Sequence, residues 1–200
     1  MLLDADGVVQ RVPGSFTARL AAAHGLAAER AVGFERALFA MEAEAAKGAF
    51  AFAPALVALA QRWCPDADVE RLLDVWRHVE TVPGVRELIA HVRGLGIRCG
   101  LATNQQDLRA DYLSCQLGYA RLFDIECYSC HLGARKPDVA FFAAAIEAVG
   151  CAPDSILFID DAPANVDAAL ACGLHALLHE PAHGAAGIAA ALRAHGIDVR

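Results

Sequence analysis

The sequence predicts an α/β protein: a three-layer, doubly wound parallel sheet with a Rossmann-like core and an inserted helical bundle. Three observations lead to this prediction. From residue 83 onward, apolar runs typical of strands alternate with helical patterns, as in parallel sheets. Residues 10–82 show helical patterns and no convincing strand. The apolar run Met1-Leu2-Leu3 comes before both regions and ends at Asp4. We therefore assign residues 1–9 and 83–200 to the core and residues 10–82 to a helical cap.

The inserted region is expected to contain four helices. Ser15 is a favourable N-cap for the first helix, and Gly48 follows Lys47 in a common stop pattern at the end of the second. Pro65-Asp66 separates the last two helices, and a Pro-Gly turn closes the region. The helices are predicted at Ser15–His24, Glu29–Lys47, Pro54–Trp63 and Ala67–His78.

The core elements after this turn follow the order of a parallel sheet. Right-handed crossovers place the Asp4 strand centrally, between the strands that end near Thr103 and Asp160. The loops after these three strands would then share one edge, where ligands bind in open α/β folds. Strands are predicted at Ile97–Ala102, Ile125–Tyr128, Ile156–Ile159 and His175–Leu178. Helices are predicted at Val85–Arg93, Asp107–Gln116, Asp138–Val149, Pro163–Cys172 and Ile188–His195.

Composition limits the classes of partner. A formal net charge of −7, a pI near 5.5 and no run of lysine or arginine argue against nucleic-acid binding. No uncharged apolar stretch reaches the roughly eighteen residues of a membrane helix, and no signal-peptide pattern precedes Asp4. We therefore expect a cytoplasmic protein without a membrane partner.

The seven cysteines are scattered and odd in number, which favours reduced thiols over a disulfide scaffold. The segment Cys127–His131 matches the C-x-x-C-H pattern of haem attachment. We interpret the match as coincidental, because a haem site would need an export signal and an apolar pocket, and a zinc site a second ligand pair. We expect the remaining cysteines to be packing residues: Cys64, Cys99, Cys115, Cys151 and Cys172.

Asp4-Ala5-Asp6-Gly7 places two carboxylates where a buried strand turns through glycine. In such a pair, one carboxylate can attack phosphorus while the other handles a proton. The pattern also occurs in tight turns and in calcium loops, so its meaning depends on the other segments.

Two later segments could bind a phosphoryl group. Thr103 and Asn104 end a strand and could donate to phosphate oxygens, although they could equally cap the next helix. Lys136 lies where a loop meets a helix that starts with proline, so its ammonium could neutralise a phosphate and the attacking carboxylate. A solvated surface lysine is the alternative, and Arg135 beside it could simply be a surface residue.

Asp160 and Asp161 end a buried strand, where two like charges are costly unless a cation compensates them. Magnesium prefers oxygen ligands. Asp4, the backbone carbonyl of Asp6 and an acid of this pair would form a suitable set. Asp160 and Asp161 could instead cap the helix that begins near Pro163. Asn165 is placed to buttress the loop.

These four segments, in this order around a helical insertion, resemble the signature of the haloacid dehalogenase superfamily, and in particular its phosphatase-like members with a small helical cap. The resemblance implies that Asp4 becomes an aspartyl phosphate and that Asp6 acts as general acid and base. Thr103, Asn104 and Lys136 would bind the phosphoryl group. In the family the second acid of the pair commonly binds Mg²⁺, which favours Asp161, with Asp160 acting directly or through water.

The resemblance implies a Mg²⁺-dependent phosphatase for a small phosphorylated metabolite, such as a sugar phosphate. Alternatives are a phosphosugar mutase, a haloacid dehalogenase and a non-catalytic binding protein. Asp6 argues against dehalogenation, which needs no second acid. The family's first strand is usually longer than Met1-Leu2-Leu3. Residues that could recognise the substrate, or that could be ordinary surface residues, are Arg11 beside the first motif and His24, Glu35, Arg36, Glu42 and Lys47 in the cap.

Overall fold

The computed structural model describes residues 1–199 and has a five-stranded parallel sheet at its centre. The strands run in the order β5-β4-β1-β6-β7, so β1 is central, as predicted. In register, Leu3 lies opposite Leu101 on one side and Ile159 on the other. The sheet strands are β1 (Leu2–Leu3), β4 (Gly100–Thr103), β5 (Ile125–Tyr128), β6 (Leu157–Asp160) and β7 (His175–Leu178).

Helices cover both faces of this sheet, which confirms the three-layer α/β fold. Successive residues of a strand point to opposite faces, and β1 shows this directly. Leu3 packs into one buried cluster with Val85 and Ile188, whereas Leu2 packs into another with Phe141 and Ala169. The core helices are α5 (Val85–Gly94), α6 (Asp107–Asp111), α7 (Tyr119–Leu122), α8 (Ser129–Leu132), α9 (Val139–Val149), α10 (Pro163–Ala171) and α11 (Gly184–Ala194).

The inserted helices have a hydrophobic cluster of their own, built around Phe34, Leu56 and Trp76. Ser15 caps the first helix as predicted, by accepting a hydrogen bond from the amide of Ala18. The helices are α1 (Phe16–His24), α2 (Ala28–Ala45), α3 (Phe52–Trp63) and α4 (Val69–Arg77). The exact limits of a separate cap unit stay a prediction.

The prediction that the inserted region has no strand was wrong. β2 (Gln10–Arg11) and β3 (Glu80–Thr81) form an antiparallel ribbon at the two ends of the helical insert. Arg11 and Glu80 also form an exposed ion pair of 3.2 Å. Two-residue strands are too short to show alternation, which is why the sequence did not reveal them. The ribbon ties the entrance and exit of the insert together.

Several smaller expectations also need correction. β4 begins at Gly100 and not at Ile97, and the helix expected to reach Gln116 ends at Asp111 and continues as a π-helical turn. Cys115 is exposed and does not pack in the core. No helix within residues 1–199 has the length and apolar character needed to cross a membrane.

Candidate active site

The loops after β1, β4 and β6 meet at the carboxyl edge of the sheet, because these three strands are neighbours. Together with the loop that carries Lys136, they line an open cavity of about 290 Å³. The cavity is lined by Asp4, Asp6, Gly7, Thr103, Asn104, Lys136 and Asp161. All the predicted site residues except Asp160 therefore surround one space, and Asp160 lies buried beside it.

Lys136 is the buried centre of this arrangement. Its Nζ donates to Asp4 Oδ1 at 2.7 Å, to Asp160 Oδ2 at 2.6 Å and to the backbone oxygen of Ala102 at 2.8 Å. An ammonium group has three protons, so each proton has an acceptor. Lys136 is 2% exposed, which excludes the alternative of a solvated surface lysine.

Asn104 holds the loop that carries Lys136. Its Nδ2 donates to the backbone oxygen of Lys136 at 2.9 Å, and its Oδ1 accepts from the backbone amide of Lys136 at 2.8 Å. The sequence suggested that this amide side chain points at a phosphate. In the structure it positions the lysine loop, and a direct substrate contact stays a prediction.

Thr103 lines the cavity and is 1% exposed. Its hydroxyl oxygen accepts from Gln105 Nε2 at 3.1 Å, so the hydroxyl proton is free to donate to a ligand. Neither Thr103 nor Asn104 caps the following helix. That role falls to Gln106, whose side chain accepts from the amide of Arg109 at 3.0 Å.

Asp160 is fully buried and both of its carboxylate oxygens are occupied. Oδ2 accepts from Lys136, and Oδ1 accepts from the amide of Ala162 at 2.8 Å. Asn165 Nδ2 lies 3.0 Å from each oxygen, in the buttressing position predicted for it. Asp160 therefore orients Lys136 and has little capacity for a further ligand.

Asp161 lies against the backbone of the first motif. Gly7 has a φ of +86°, and a Cβ at that position would stand 2.1 Å from Asp161 Oδ2. Glycine thus allows both the turn and the close approach of the second acid. Burial, and then the charge of Asp160, raise the pKa of Asp161.

The nucleophile candidate has an unusual electrostatic environment. Burial raises the pKa of Asp4 to about 6, the Lys136 ammonium opposes this shift, and the Asp160 charge adds to it. A carboxylate in such a setting is poorly hydrated, which favours nucleophilic attack once a cation neutralises its surroundings.

Asp6 accepts three side-chain hydrogen bonds. The donors are Arg109 Nη2 at 2.7 Å, Gln105 Nε2 at 2.9 Å and Gln10 Nε2 at 3.0 Å. None of these three donors was predicted from the sequence. Gln10 and Gln105 are buried polar side chains. Their closeness in sequence to the predicted motifs was the only feature that could have indicated a role in the site.

The acidic residues fit a divalent cation. One oxygen from each of Asp4, Asp160 and Asp161 lies within 4.8 Å of the other two. Asp160 already accepts hydrogen bonds on both oxygens, so the carboxylates most open to an ion in the cavity are those of Asp4 and Asp161, which line it. Hard carboxylate oxygens are the ligands that Mg²⁺ prefers.

A second cavity, of about 200 Å³, lies where the inserted helices face the core. Of the cap residues proposed from sequence, only Glu42 lines it. Glu42 accepts a hydrogen bond from the indole of Trp76, and burial raises its pKa. The lining residues are Phe39, Glu42, Ala43, Ala46, Asn104, Gln105, Gln106, Arg109 and Arg135.

The other cap candidates lie elsewhere. His24 is buried and faces Glu35 at 3.4 Å, and Lys47 pairs with Glu44 at 2.8 Å on the surface. Arg36 is exposed on α2. None of these side chains lines either cavity of the site.

Comparison with known proteins assigns the family. The profile of the haloacid dehalogenase-like hydrolases matches residues 2–173, so the chain belongs to this family. A phosphatase of Mycobacterium tuberculosis is 32% identical over 108 residues, which are 53% of this chain and 49% of that protein. A phosphorylated carbohydrates phosphatase of Thermotoga maritima is 26% identical over 92 residues, 46% and 43% of the two chains. The chain therefore spans about half the length of these relatives.

Solved structures share the fold at low sequence identity. A haloacid dehalogenase family enzyme of Bacteroides thetaiotaomicron superposes with a TM-score of 0.75 at 16% identity, over 88% of this chain and 91% of that one. The same enzyme in complex with magnesium and inorganic phosphate gives a TM-score of 0.71 at 18% identity, with the same coverage.

Proposed function

We propose that this member of the haloacid dehalogenase-like hydrolase family is a Mg²⁺-dependent phosphatase that acts through an aspartyl-phosphate intermediate. The arrangement around Lys136 carries the proposal. One buried ammonium holds both Asp4 and Asp160, and Asp4 faces a cavity that also contains Asp6 and Asp161. Such a site combines a nucleophile, a proton-transfer group and cation ligands within one small space.

In the first chemical step, an Asp4 oxygen forms a bond to phosphorus while the ester P–O bond breaks. Asp6 gives a proton to the leaving oxygen, which departs as an alcohol. Lys136 keeps the Asp4 carboxylate oriented through Oδ1. This positioning is much of what phosphoryl transfer requires of a protein.

In the second step, water attacks the phosphorus of the aspartyl phosphate and Asp6 accepts the proton that the water loses. The bond between phosphorus and the Asp4 oxygen breaks, which releases inorganic phosphate and restores the carboxylate. Thr103, whose hydroxyl proton is free, would hold a transferring oxygen together with Asn104, and the nearby Lys136 ammonium would offset the negative charge of the phosphoryl group.

Asp4, Asp161 and the backbone carbonyl of Asp6 would hold Mg²⁺, with Asp160 behind them. When bound, the ion supplies positive charge that offsets the carboxylates and the phosphate oxygens. The raised pKa values of Asp4 and Asp161 support this assignment, because both groups lie where negative charge is costly until a cation compensates it.

The substrate would be a small phosphorylated metabolite. The two cavities, of about 290 and 200 Å³, have room for a phosphate and a compact leaving group. A phosphorylated carbohydrate, as in the name of the Thermotoga relative, is one such compound. The acidic composition disfavours nucleic acid as a substrate.

The test is a panel of sugar phosphates, nucleotides and small phosphomonoesters, assayed for phosphate release with and without Mg²⁺. Asp4→Asn serves as the control, because it keeps the shape of the side chain and removes the nucleophile. We expect turnover that EDTA stops, that Mg²⁺ restores and that Asp4→Asn lacks. Turnover at full rate without metal, or in Asp4→Asn, would contradict the proposal.

The same panel separates the alternative functions. Halide release from a 2-haloacid without phosphate release would indicate a dehalogenase. Conversion of one sugar phosphate into its isomer would indicate a mutase. A correctly folded protein that processes none of these compounds would be a binding protein on the same fold.

A further inference from the structure

We infer that the second cavity binds an anionic group of the substrate other than the phosphate that is removed, so that the preferred substrates are phosphomonoesters whose leaving group carries its own carboxylate or phosphate. The inference rests on the proposed function and names the substrate class of that site. It follows from the position of the cavity and from the hydrogen-bond donors that line it.

The second cavity lies next to Asp6, the proton-transfer group of the proposed mechanism. Asp6 lines the catalytic cavity, while two of its donors, Gln105 and Arg109, line the second cavity. Asn104 lines both. The leaving oxygen must lie next to Asp6 to receive a proton, so the group attached to that oxygen extends toward the second cavity.

Two residues that line this space, Gln106 and Arg109, each carry a buried donor atom without a hydrogen-bond partner in the described part of the chain. Gln106 is 1% exposed, and its Oε1 is fixed as the acceptor of the Arg109 amide, which leaves Nε2 as the free end of the amide. Within residues 1–199, neither Gln106 Nε2 nor Arg109 Nε has a hydrogen-bond partner. Buried donors of this kind cost free energy unless an acceptor reaches them, and an oxygen-rich group in the cavity is one source of such an acceptor.

Charge supports the same conclusion. Arg135 lines the cavity, and no ion pair joins it to a carboxylate in the described part of the chain. A guanidinium group binds carboxylates and phosphates through paired hydrogen bonds. Arg109 contributes a second guanidinium, which is only partly used by Asp6.

Glu42 is the acidic residue of the lining, and it shapes what can bind. Its Oε1 accepts from the Trp76 indole. Burial raises the pKa of Glu42, and the charges of Arg109 and Arg135 oppose that rise. Two guanidinium groups and an amide donor thus share the lining with a single carboxylate. The excess of donors favours an anion over a neutral polyol, which would need acceptors in equal number.

The experiment uses three substrates with one carbon skeleton: 3-phosphoglycerate, glycerol 3-phosphate and glycerol 1,3-bisphosphate. They place a carboxylate, a neutral hydroxymethyl group or a second phosphate at the far end. We expect kcat/KM with Mg²⁺ to be at least about tenfold higher for an anionic member than for glycerol 3-phosphate, since a charged hydrogen bond contributes roughly that factor or more. Preference for one of the two anions identifies which group the cavity binds.

Variants tie the preference to the cavity. Arg135→Gln should reduce the ratio of kcat/KM between the anionic and neutral substrates about tenfold. Gln106→Glu keeps the capping oxygen and replaces the free donor with an acceptor, so it should reduce the same ratio. Arg36→Gln removes an equal charge from an exposed position of the cap and should leave the ratio unchanged.

The outcomes separate this inference from the proposed function. Three results would overturn the inference and leave the proposed phosphatase function standing. They are equal kcat/KM for all three esters, a preference for glycerol 3-phosphate, and a ratio of kcat/KM that neither cavity variant changes. No turnover of any phosphomonoester would overturn the proposed function and this inference with it.

Discussion

Replacing Lys136 with methionine should destabilise the protein far more than an ordinary lysine substitution would. Methionine has a similar length but cannot donate, so Asp4 Oδ1, Asp160 Oδ2 and the Ala102 oxygen lose their shared donor. Asp160 is fully buried, and Asp4 nearly so. Leaving a buried charge without its partner costs about 3–5 kcal/mol. That loss is a large part of the roughly 5–15 kcal/mol that stabilises a typical domain.

The destabilisation should depend on pH. Lys136 opposes the rise in the pKa of Asp4, so its removal raises that pKa further above the present value of about 6. A carboxyl group whose pKa is higher in the folded than in the unfolded state stabilises the fold at low pH. This stabilisation is lost as the pH rises through the folded pKa. The difference between variant and wild type should therefore be larger at pH 7.5 than at pH 5.

Urea denaturation followed by circular dichroism at 222 nm measures both effects. Tryptophan fluorescence alone would report mainly on the cap, since both tryptophans, Trp63 and Trp76, belong to its cluster. Lys47→Met is the matched control, because the chain has two lysines and Lys47 forms an exposed pair worth about 0–1 kcal/mol. A loss below about 1 kcal/mol for Lys136→Met, or one equal to the control, would refute the reasoning.

Three further predictions concern the rest of the chain. Gly7→Ala should raise the Mg²⁺ concentration needed for half-maximal activity, because the new Cβ collides with Asp161 and the backbone there has a positive φ. The same half-maximal Mg²⁺ concentration in variant and wild type would contradict this. Asp124→Asn should lower Tm at pH 7, and the difference from wild type should shrink as the pH falls through the folded pKa of Asp124, because the Arg93 hydrogen bond lowers that pKa and needs the ionised carboxylate; a Tm difference that does not change with pH would argue otherwise. Ser15→Ala should cost about 0.5–2 kcal/mol in urea unfolding followed by cap tryptophan fluorescence, whereas Ser15→Asp should restore the loss; no change in the alanine variant would exclude a stabilising cap.

Much of the sheet could be predicted because its rules are local or topological. Strand–helix alternation implied parallel pairing, and right-handed crossovers placed the Asp4 strand between the strands of Thr103 and Asp160. Once these strands were neighbours, the acids that follow them had to approach one edge, and the loop after α8 adds Lys136 there. The motif residues therefore led to the position of the site without any knowledge of side-chain contacts.

The parts that could not be predicted depend on contacts between distant residues. Arg109 bonds Asp6 across 103 positions of the chain, and no local pattern marks that pair. The β2–β3 ribbon joins residues about 70 positions apart through only two residues on each side. Asn104 bonds the backbone of Lys136 across 32 positions of the chain, and its place after a strand gave no sign of that contact.

The most direct test of the central claim is to detect phosphate on Asp4 itself. The wild-type protein would be mixed with a substrate from the panel and Mg²⁺, quenched in acid within milliseconds, digested and analysed by mass spectrometry. We predict a phosphoryl adduct on the peptide that contains Asp4, absent without Mg²⁺ and absent from Asp4→Asn. Steady turnover with no adduct on that peptide, or with an adduct on another residue, would contradict the account.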